Sequence, residues 1–185
     1  YPCEDAVILN CGAHNGSSSG MFSVLYPTST VYGFEPVLSE WEMHCNLELF
    51  FPNVKSINMG VWSETTKVQF ETAGDGLSGT SASRIGKGDN WVDVVSIDEF
   101  VSKQKLASVE YIKMDVEGAE MEALAGSEIL LKDRKPDLAI AIYHKARHLW
   151  EIPLFLKDIV PEYNIYIDHK YGAADESICF ATVRS

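Results

Sequence analysis

The chain has 185 residues, 46% of them hydrophobic and 23% charged, so it is long enough to bury a core without disulfide or metal staples. These values exclude a disordered tail, a collagen-like fibre and a coiled coil, and no apolar run approaches the roughly 20 residues of a membrane helix. The net charge of -12 disfavours nucleic acid as a partner, because it repels phosphate backbones, and suits a neutral or cationic small ligand.

The first 59 residues alternate apolar runs with turn residues. Strands are predicted over residues 6–9, 30–34 and 54–59, and two helices lie between them. Ser39 and Glu42 have the spacing of a capping box at the start of the second helix. The order strand, helix, strand, helix, strand predicts a parallel sheet with helices on both faces.

The second half begins with a glycine-rich stretch. Residues 73–89 contain five glycines between predicted strands, and we expect this stretch to be a long loop that acts as a substrate lid. Pro153 is expected in the first turn of a late helix. Further strands are predicted over residues 68–70, 92–97, 109–114 and 137–143, helices over 119–124 and 154–159, and a closing strand pair over 163–168 and 177–183.

Neither a signal sequence nor a metal-binding cysteine pattern is visible. No basic stretch followed by an apolar one opens the chain. The four cysteines form no C-x-x-C pair and match no zinc spacing. Two of them fall in predicted core segments, which favours reduced, buried thiols over a bridge such as Cys3–Cys45. We therefore predict a cytoplasmic protein with one domain over residues 1–185.

The turn after the first strand is the first candidate site. The dinucleotide fingerprint G-x-G-x-x-G fails, because His14 and Ser17 stand where its second and third glycines belong, and this disfavours an NAD-dependent oxidoreductase. Gly12 and Ala13 are small enough for a ligand to lie against the backbone, and the following helix offers N–H groups to an anionic group. Glu35, at the end of the second strand, can accept both hydroxyls of a ribose. This spacing predicts a nucleoside site.

A set of motifs runs along most of the chain. The most specific is K-x-D-V-E-G-A-E over residues 113–120. The others lie at residues 10–16, 31–36, 60–63, 95–98 and 142–153. Together they resemble the motifs of the FkbM-type S-adenosylmethionine-dependent methyltransferases.

The resemblance implies a Rossmann-like α/β fold with seven strands, a mostly parallel sheet, helices on both faces and an antiparallel final strand pair. It also implies S-adenosylmethionine as cofactor, with methyl transfer directly to a hydroxyl of a small molecule, sugar or glycan. The implied cofactor-binding residues follow three strands: Asn10, Gly12, Ala13, His14, Asn15 and Gly16 after the first, Glu35 and Pro36 after the second, and Asn58 and Gly60 after the third.

Asn10 departs from the family pattern, in which an acid stands at this position. The amide oxygen can still accept a hydrogen bond from the ammonium of the cofactor, but it brings no charge. The alternative function is therefore a catalytically silent module that binds S-adenosylmethionine with the same fold.

Asp115, Glu117 and His144 are the predicted catalytic residues. Asp115 ends a core strand and would position the cofactor or polarise the nucleophile; its alternative role is to cap the helix at residue 119. Glu117 lies close enough to Asp115 for the two carboxylates to raise each other's proton affinity. His144 is the natural base near neutral pH, or else a structural histidine.

A metal is not expected beside these carboxylates. Asp115, Glu117 and Glu120 offer oxygen ligands, but no D-x-D or adjacent D-N pair supports a site. His144 and His148 have the i, i+4 spacing of helical metal ligands, yet they follow a strand.

Other polar and aromatic side chains receive simpler interpretations. Glu120 is predicted to be an exposed charge on a helix face. His44 and His169 are predicted to lie at the surface, and Trp91 to line a substrate pocket beside the glycine-rich stretch.

Overall fold

A computed structural model describes residues 5–71, 84–85, 90–170 and 176–184. In chain order the helices and strands are β1 (Val7–Cys11), α1 (Ser17–Leu25), β2 (Thr30–Phe34), α2 (Leu38–Cys45), a 3-10 helix (Asn46–Leu49), β3 (Val54–Ile57), β4 (Gly60–Val61), β5 (Thr66–Glu71), β6 (Arg84–Ile85), β7 (Asn90–Val95), α3 (Ile97–Gln104), β8 (Tyr111–Met114), α4 (Glu120–Ala125), α5 (Glu128–Arg134), β9 (Asp137–Ala141), α6 (His148–Ile159), β10 (Asn164–Lys170) and β11 (Glu176–Thr182).

A seven-stranded sheet has the order β10-β11-β9-β8-β1-β2-β3. The five strands from β9 to β3 pair in parallel, whereas β11 runs antiparallel to both β9 and β10. Ile8 packs with Phe22 of α1 on one face, and its neighbour Leu9 packs in the cluster of Phe100 from α3 on the other. Both faces are therefore covered by helices, and the predicted Rossmann-like α/β fold with an antiparallel final pair is confirmed.

A second sheet, with the order β4-β7-β5-β6, lies between β3 and β8 in the chain. The strands predicted around residues 68–70 and 92–97 are present, but they belong to this smaller sheet. Two residues of the predicted lid, 84–85, form β6 and pair with β5. The rest of that stretch lies outside the described residues.

Two helix starts differ from the predictions. The capping box is wrong, because α2 begins at Leu38 and Ser39 lies inside it. Pro153 lies inside α6, which begins five residues earlier at His148. α5 was not predicted; the Asp98 carboxylate accepts hydrogen bonds from the N–H groups of its residues Ile129 and Leu130.

Helix length and the state of the cysteines complete the description of the fold. No helix in the described ranges is both long and apolar enough to cross a membrane. Cys11, Cys45 and Cys179 are free thiols, in line with the expected reduced state, and Cys3 lies outside the described residues.

The carboxyl ends of β1, β2 and β8 meet at the point where the strand order reverses. From β1 the chain builds β2 and β3 on one side, and later β8 and β9 on the other. Ligands of open parallel sheets bind at such a point. The candidate site is therefore expected at this edge.

Candidate functional site

The turn after β1 is shaped by close backbone approaches. Gly12 and Gly16 have left-handed φ angles of +78° and +88°. A Cβ at Gly12 would lie 1.8 Å from the carbonyl oxygen of Asp115, and one at Gly16 would lie 2.2 Å from a methyl of Leu47. The N–H groups of Gly12 and Ala13 both donate to the carbonyl of Phe34. The two glycines are thus required by the packing of the protein itself, and not only by a ligand.

Glu35 stands directly beside this turn. Its Oε2 accepts from the backbone N–H of His14, and its Oε1 from that of Val37, each at 2.9 Å. The side chain is buried, which raises its pKa despite the two backbone hydrogen bonds. Each carboxylate oxygen keeps a second lone pair, so Glu35 can still accept hydrogen bonds from the hydroxyls of a ribose.

The remaining predicted turn residues occupy different environments. His14 is exposed, and its Nε2 lies 3.4 Å from Oε2 of Glu40. Asn15 accepts hydrogen bonds from both the N–H and the hydroxyl of Ser17 at the start of α1. His14 therefore offers an open side chain near the site, whereas Asn15 shapes the helix start.

The segment after β3 borders a cavity of about 280 Å³. Nδ2 of Asn58 donates to the carbonyl of Glu35 at 2.9 Å, and Pro36 and Asn58 line the cavity with the exposed Trp91. Trp91 thus lines a cavity, and its role toward a substrate stays a prediction. Gly60 is buried in β4 against Val94 and does not line this cavity.

Asn10 belongs to a buried polar chain that the sequence did not reveal. Its Nδ2 donates to Oγ of Ser19 at 2.8 Å, and that oxygen lies 2.8 Å from Nε2 of His44. Nδ1 of His44 then lies 2.5 Å from Oγ of Ser56. The prediction that His44 is a surface residue is wrong: the ring is fully buried, and burial lowers its pKa.

Asp115 follows β8, beside Gly12. Oδ1 of Asp115 accepts from the Tyr143 hydroxyl at 3.1 Å, and Oδ2 lies 3.4 Å from Nζ of Lys113. That ammonium also donates to the carbonyl of Gly12 at 3.1 Å. The alternative in which Asp115 caps the next helix is wrong, because α4 begins at Glu120 with Ala119 at its cap position.

His144 lies three residues beyond β9, at the centre of a carboxylate cluster. Its Nε2 is 3.3 Å from Glu117 and 3.5 Å from Asp115, and its Nδ1 is 2.7 Å from Oε1 of Glu120. Burial alone would lower the pKa of His144, but the hydrogen bonds and charges of Glu117 and Glu120 outweigh it and raise the pKa to about 9. We therefore expect His144 to be an imidazolium at neutral pH, a form that has no free ring nitrogen to accept a proton.

The structure corrects the interpretation of Glu120. Its side chain is 0% exposed, so it is not a charge on an exposed helix face. His148 is buried on the other side of it, with Nδ1 3.1 Å from Oε2 of Glu120. Among the described residues, no group of three or more His, Cys, Asp or Glu side chains is arranged to hold a metal ion.

Lys113 and Tyr143, for which no role was predicted, both contact Asp115. The spacing of Lys113 and Asp115 is a usable signal, because residues i and i+2 of a strand point to the same face. Tyr143 is adjacent to His144, and their ring centroids lie 4.1 Å apart. Its contact with Asp115 depends on the pairing of β8 with β9, which the sequence does not specify.

The raised pKa of His144 predicts a pH-dependent stability. The ion pairs contribute fully below the ordinary pKa of 6.5 and are lost as the pH rises through about 9. Allowing for solvent at the rim, we expect the free energy of unfolding to fall by about 2 kcal/mol between these limits. Urea titrations across this pH range should show the decrease in the wild type and in His169→Gln, a variant of an exposed histidine, but not in His144→Gln. An equal decrease in all three would contradict the assignment.

Comparisons with known proteins agree with this geometry. The family model described as the methyltransferase FkbM domain matches residues 10–167. No curated protein matches the sequence. The structure of a methyltransferase FkbM from Methylobacillus flagellatus is similar, with 24% identity and a TM-score of 0.76 over 97% of this chain. The match covers 44% of that chain, so the present chain spans less than half the length of that relative.

More distant structures share the fold and contain ligands. A protein from Streptococcus mutans in complex with SAH is 12% identical, with a TM-score of 0.58 over 97% of this chain and 89% of that chain. Fibrillarin from Aeropyrum pernix, with natively bound S-adenosyl-L-methionine, is 13% identical, with a TM-score of 0.57 over 97% and 67%. The prediction of S-adenosylmethionine as cofactor agrees with both complexes. Because the family model spans most of the sequence, this chain belongs to the FkbM family of methyltransferases.

Proposed function

We propose that this chain transfers a methyl group from S-adenosylmethionine to a hydroxyl of a small molecule, sugar or glycan. The observation that carries the proposal is the contact between Asp115 and the turn after β1. The Lys113 ammonium lies 3.1 Å from the Gly12 carbonyl and 3.4 Å from Oδ2 of Asp115. A proton acceptor therefore stands beside the segment that would hold the methyl donor.

Residues of the turn fit the cofactor. Among the described residues, Oδ1 of Asn10 has no hydrogen-bond partner, although a buried oxygen without a donor costs about 1–3 kcal/mol. The ammonium of the cofactor would supply such a donor. Glu35 would accept the ribose hydroxyls, and Pro36 and Asn58 border the cavity next to it. When bound, S-adenosylmethionine supplies an electrophilic methyl group on a sulfonium.

Asp115 accepts the proton of the acceptor hydroxyl in this mechanism. Its side chain is 33% exposed, so a substrate can reach it. The Tyr143 hydroxyl and the Lys113 ammonium fix the orientation of the carboxylate. His144, protonated at neutral pH, holds Asp115 and Glu117 together and does not take the proton itself. General base catalysis of this kind is typically worth about 10²- to 10⁴-fold.

The acceptor that fits best is neutral. Asp115 and Glu117 both reach the rim, and the net charge of -12 repels phosphate groups. The exposed ring of Trp91 offers an apolar face to a sugar or an aromatic ring. We therefore extend the proposal to hydroxylated small molecules or glycans, and not nucleic acids, as acceptors. We further propose that residues 1–185 fold as one domain and that the protein is cytoplasmic, which its free thiols favour.

Calorimetric titration with S-adenosylmethionine and S-adenosylhomocysteine tests the cofactor, and transfer of a labelled methyl group to a panel of alcohols and sugars tests the reaction. We expect micromolar binding and O-methylated products. Binding without turnover on any acceptor would favour the silent module. Binding recovered only in Asn10→Asp would favour a degenerate site, and failure of both proteins to bind would contradict the proposed function.

A further inference from the structure

Glu120 is a buried carboxylate with several partners. Its Oε1 accepts hydrogen bonds from the backbone N–H groups of Val116 and Gly118, each at 3.2 Å. The same oxygen lies 2.7 Å from Nδ1 of His144. One carboxylate therefore joins the turn before α4 to the segment after β9.

The charge of Glu120 is balanced by histidine. Within the described ranges, the basic side chains at ion-pair distance from it are His144 and His148 only, and burial lowers the pKa of His148. A buried carboxylate needs a compensating charge or several donors. Although burial would raise the pKa of Glu120, the hydrogen bond and the charge of His144 hold it below its ordinary value. The protonated His144 ring is the group that supplies this balance.

The turn that Glu120 holds has an unusual backbone. Glu117 has a φ of +54° and Gly118 a φ of +96°, and the left-handed region is costly for a residue with a side chain. The hydrogen bonds from the N–H groups of Val116 and Gly118 to Glu120 lie on either side of Glu117. This conformation places Oε2 of Glu117 3.3 Å from Nε2 of His144.

We propose that Glu120 is a positioning residue, which holds the His144 ring and the turn over residues 116–118 so that Asp115 and Glu117 meet at the rim. The use of Asp115 and Glu117 in catalysis rests on the function proposed above. The arrangement itself does not, because it follows from contacts within the chain. The sequence motif does not distinguish Glu120 from Glu117 and Glu122, which are only partly buried; the full burial of Glu120 does.

The titration of each histidine depends on the charged groups that face its ring. His144 is faced by Asp115 and Glu117 from the turn and by Glu120 from α4. His148 is faced by Glu120, Lys145, Arg147 and Glu122. Removing the Glu120 charge takes away one of the three carboxylates that stabilise the His144 imidazolium.

The test is an NMR titration of histidine ring nitrogens in the isotope-labelled wild type, in Glu120→Gln and in Glu128→Gln. The last variant makes the same substitution at an ion-paired position on α5. We expect His144 to titrate near pH 9 in the wild type and in Glu128→Gln, and about one pH unit or more lower in Glu120→Gln. Calorimetry with S-adenosylmethionine should give the same affinity for all three proteins.

An unchanged His144 titration in folded Glu120→Gln would overturn the proposal. If that variant does not fold, the wild type still decides the question, because neutral His144 above pH 9 should carry its proton on Nδ1, the atom that donates to Glu120. A proton on Nε2 would also overturn it. If the wild type does not bind S-adenosylmethionine, the proposed function is contradicted. The positioning role of Glu120 is then decided by the His144 titration alone.

Discussion

Replacing Asp115 with Asn is expected to lower kcat for methyl transfer by about 100-fold or more, while the affinity for S-adenosylmethionine stays within about threefold. The substituted amide keeps the size of the side chain and can still accept from the Tyr143 hydroxyl. It cannot accept the proton of the acceptor hydroxyl. The rate should therefore fall although the turn after β1 and its ligand contacts remain in place.

Single-turnover rates with labelled S-adenosylmethionine, measured beside calorimetric affinities, separate these two effects. Asp133→Asn is the matched control, because Asp133 is an exposed aspartate on α5, away from the site. A kcat in Asp115→Asn within about threefold of the wild type would remove Asp115 as the proton acceptor. A parallel loss of cofactor affinity would assign it to binding instead.

The strands of the parallel sheet could be predicted because the sequence patterns that indicate them are local. Apolar runs such as those of β1 and β9 are buried along almost their whole length, and turns with glycine or proline separate them. The predicted strand over residues 109–114 likewise placed Asp115 directly after what is β8 in the structure. These features depend on neighbours in the sequence, so one sequence is enough to recognise them.

Features that depend on distant contacts were missed. The start of α5 is capped by Asp98, some thirty residues earlier. Glu120 and His44 are polar residues, of types that usually lie at the surface. They are buried because histidines or serines from other elements supply their hydrogen bonds. Such partners become neighbours only after β8 pairs with β1 and β9, and α2 packs beside β3.

The protonation state of His144 also depends on distant contacts and could not be predicted from the sequence. From the sequence, His144 is a histidine near its ordinary pKa and hence a natural base. In the folded chain, three carboxylates from one turn and the helix that follows it surround the ring, which becomes a cation instead. For this reason the proposed function gives the proton-accepting role to a carboxylate, Asp115. A motif can thus identify the residues of a site before it identifies which of them is protonated.

Gly12→Ala is expected to destabilise the fold strongly. A methyl at this position would lie 1.8 Å from the carbonyl oxygen of Asp115 and 2.8 Å from its carbonyl carbon, and neither backbone atom can move without separating β1 from β8. The φ of +78° adds strain for any residue with a side chain. Together these effects should cost about 3–5 kcal/mol, a large share of the total stability of a typical domain.

Gly20→Ala supplies the control, because both glycines then receive the same methyl group. Gly20 lies within α1, and its nearest contact would be an ordinary 3.5 Å from the Phe51 ring. Relief of backbone entropy in a helix should therefore stabilise that variant by about 0.5–1 kcal/mol. Urea unfolding followed by circular dichroism measures both changes. A loss below about 1 kcal/mol in Gly12→Ala would mean that the turn can withdraw from β8. The contact between the cofactor turn and Asp115, on which the proposed chemistry depends, would then not be rigid.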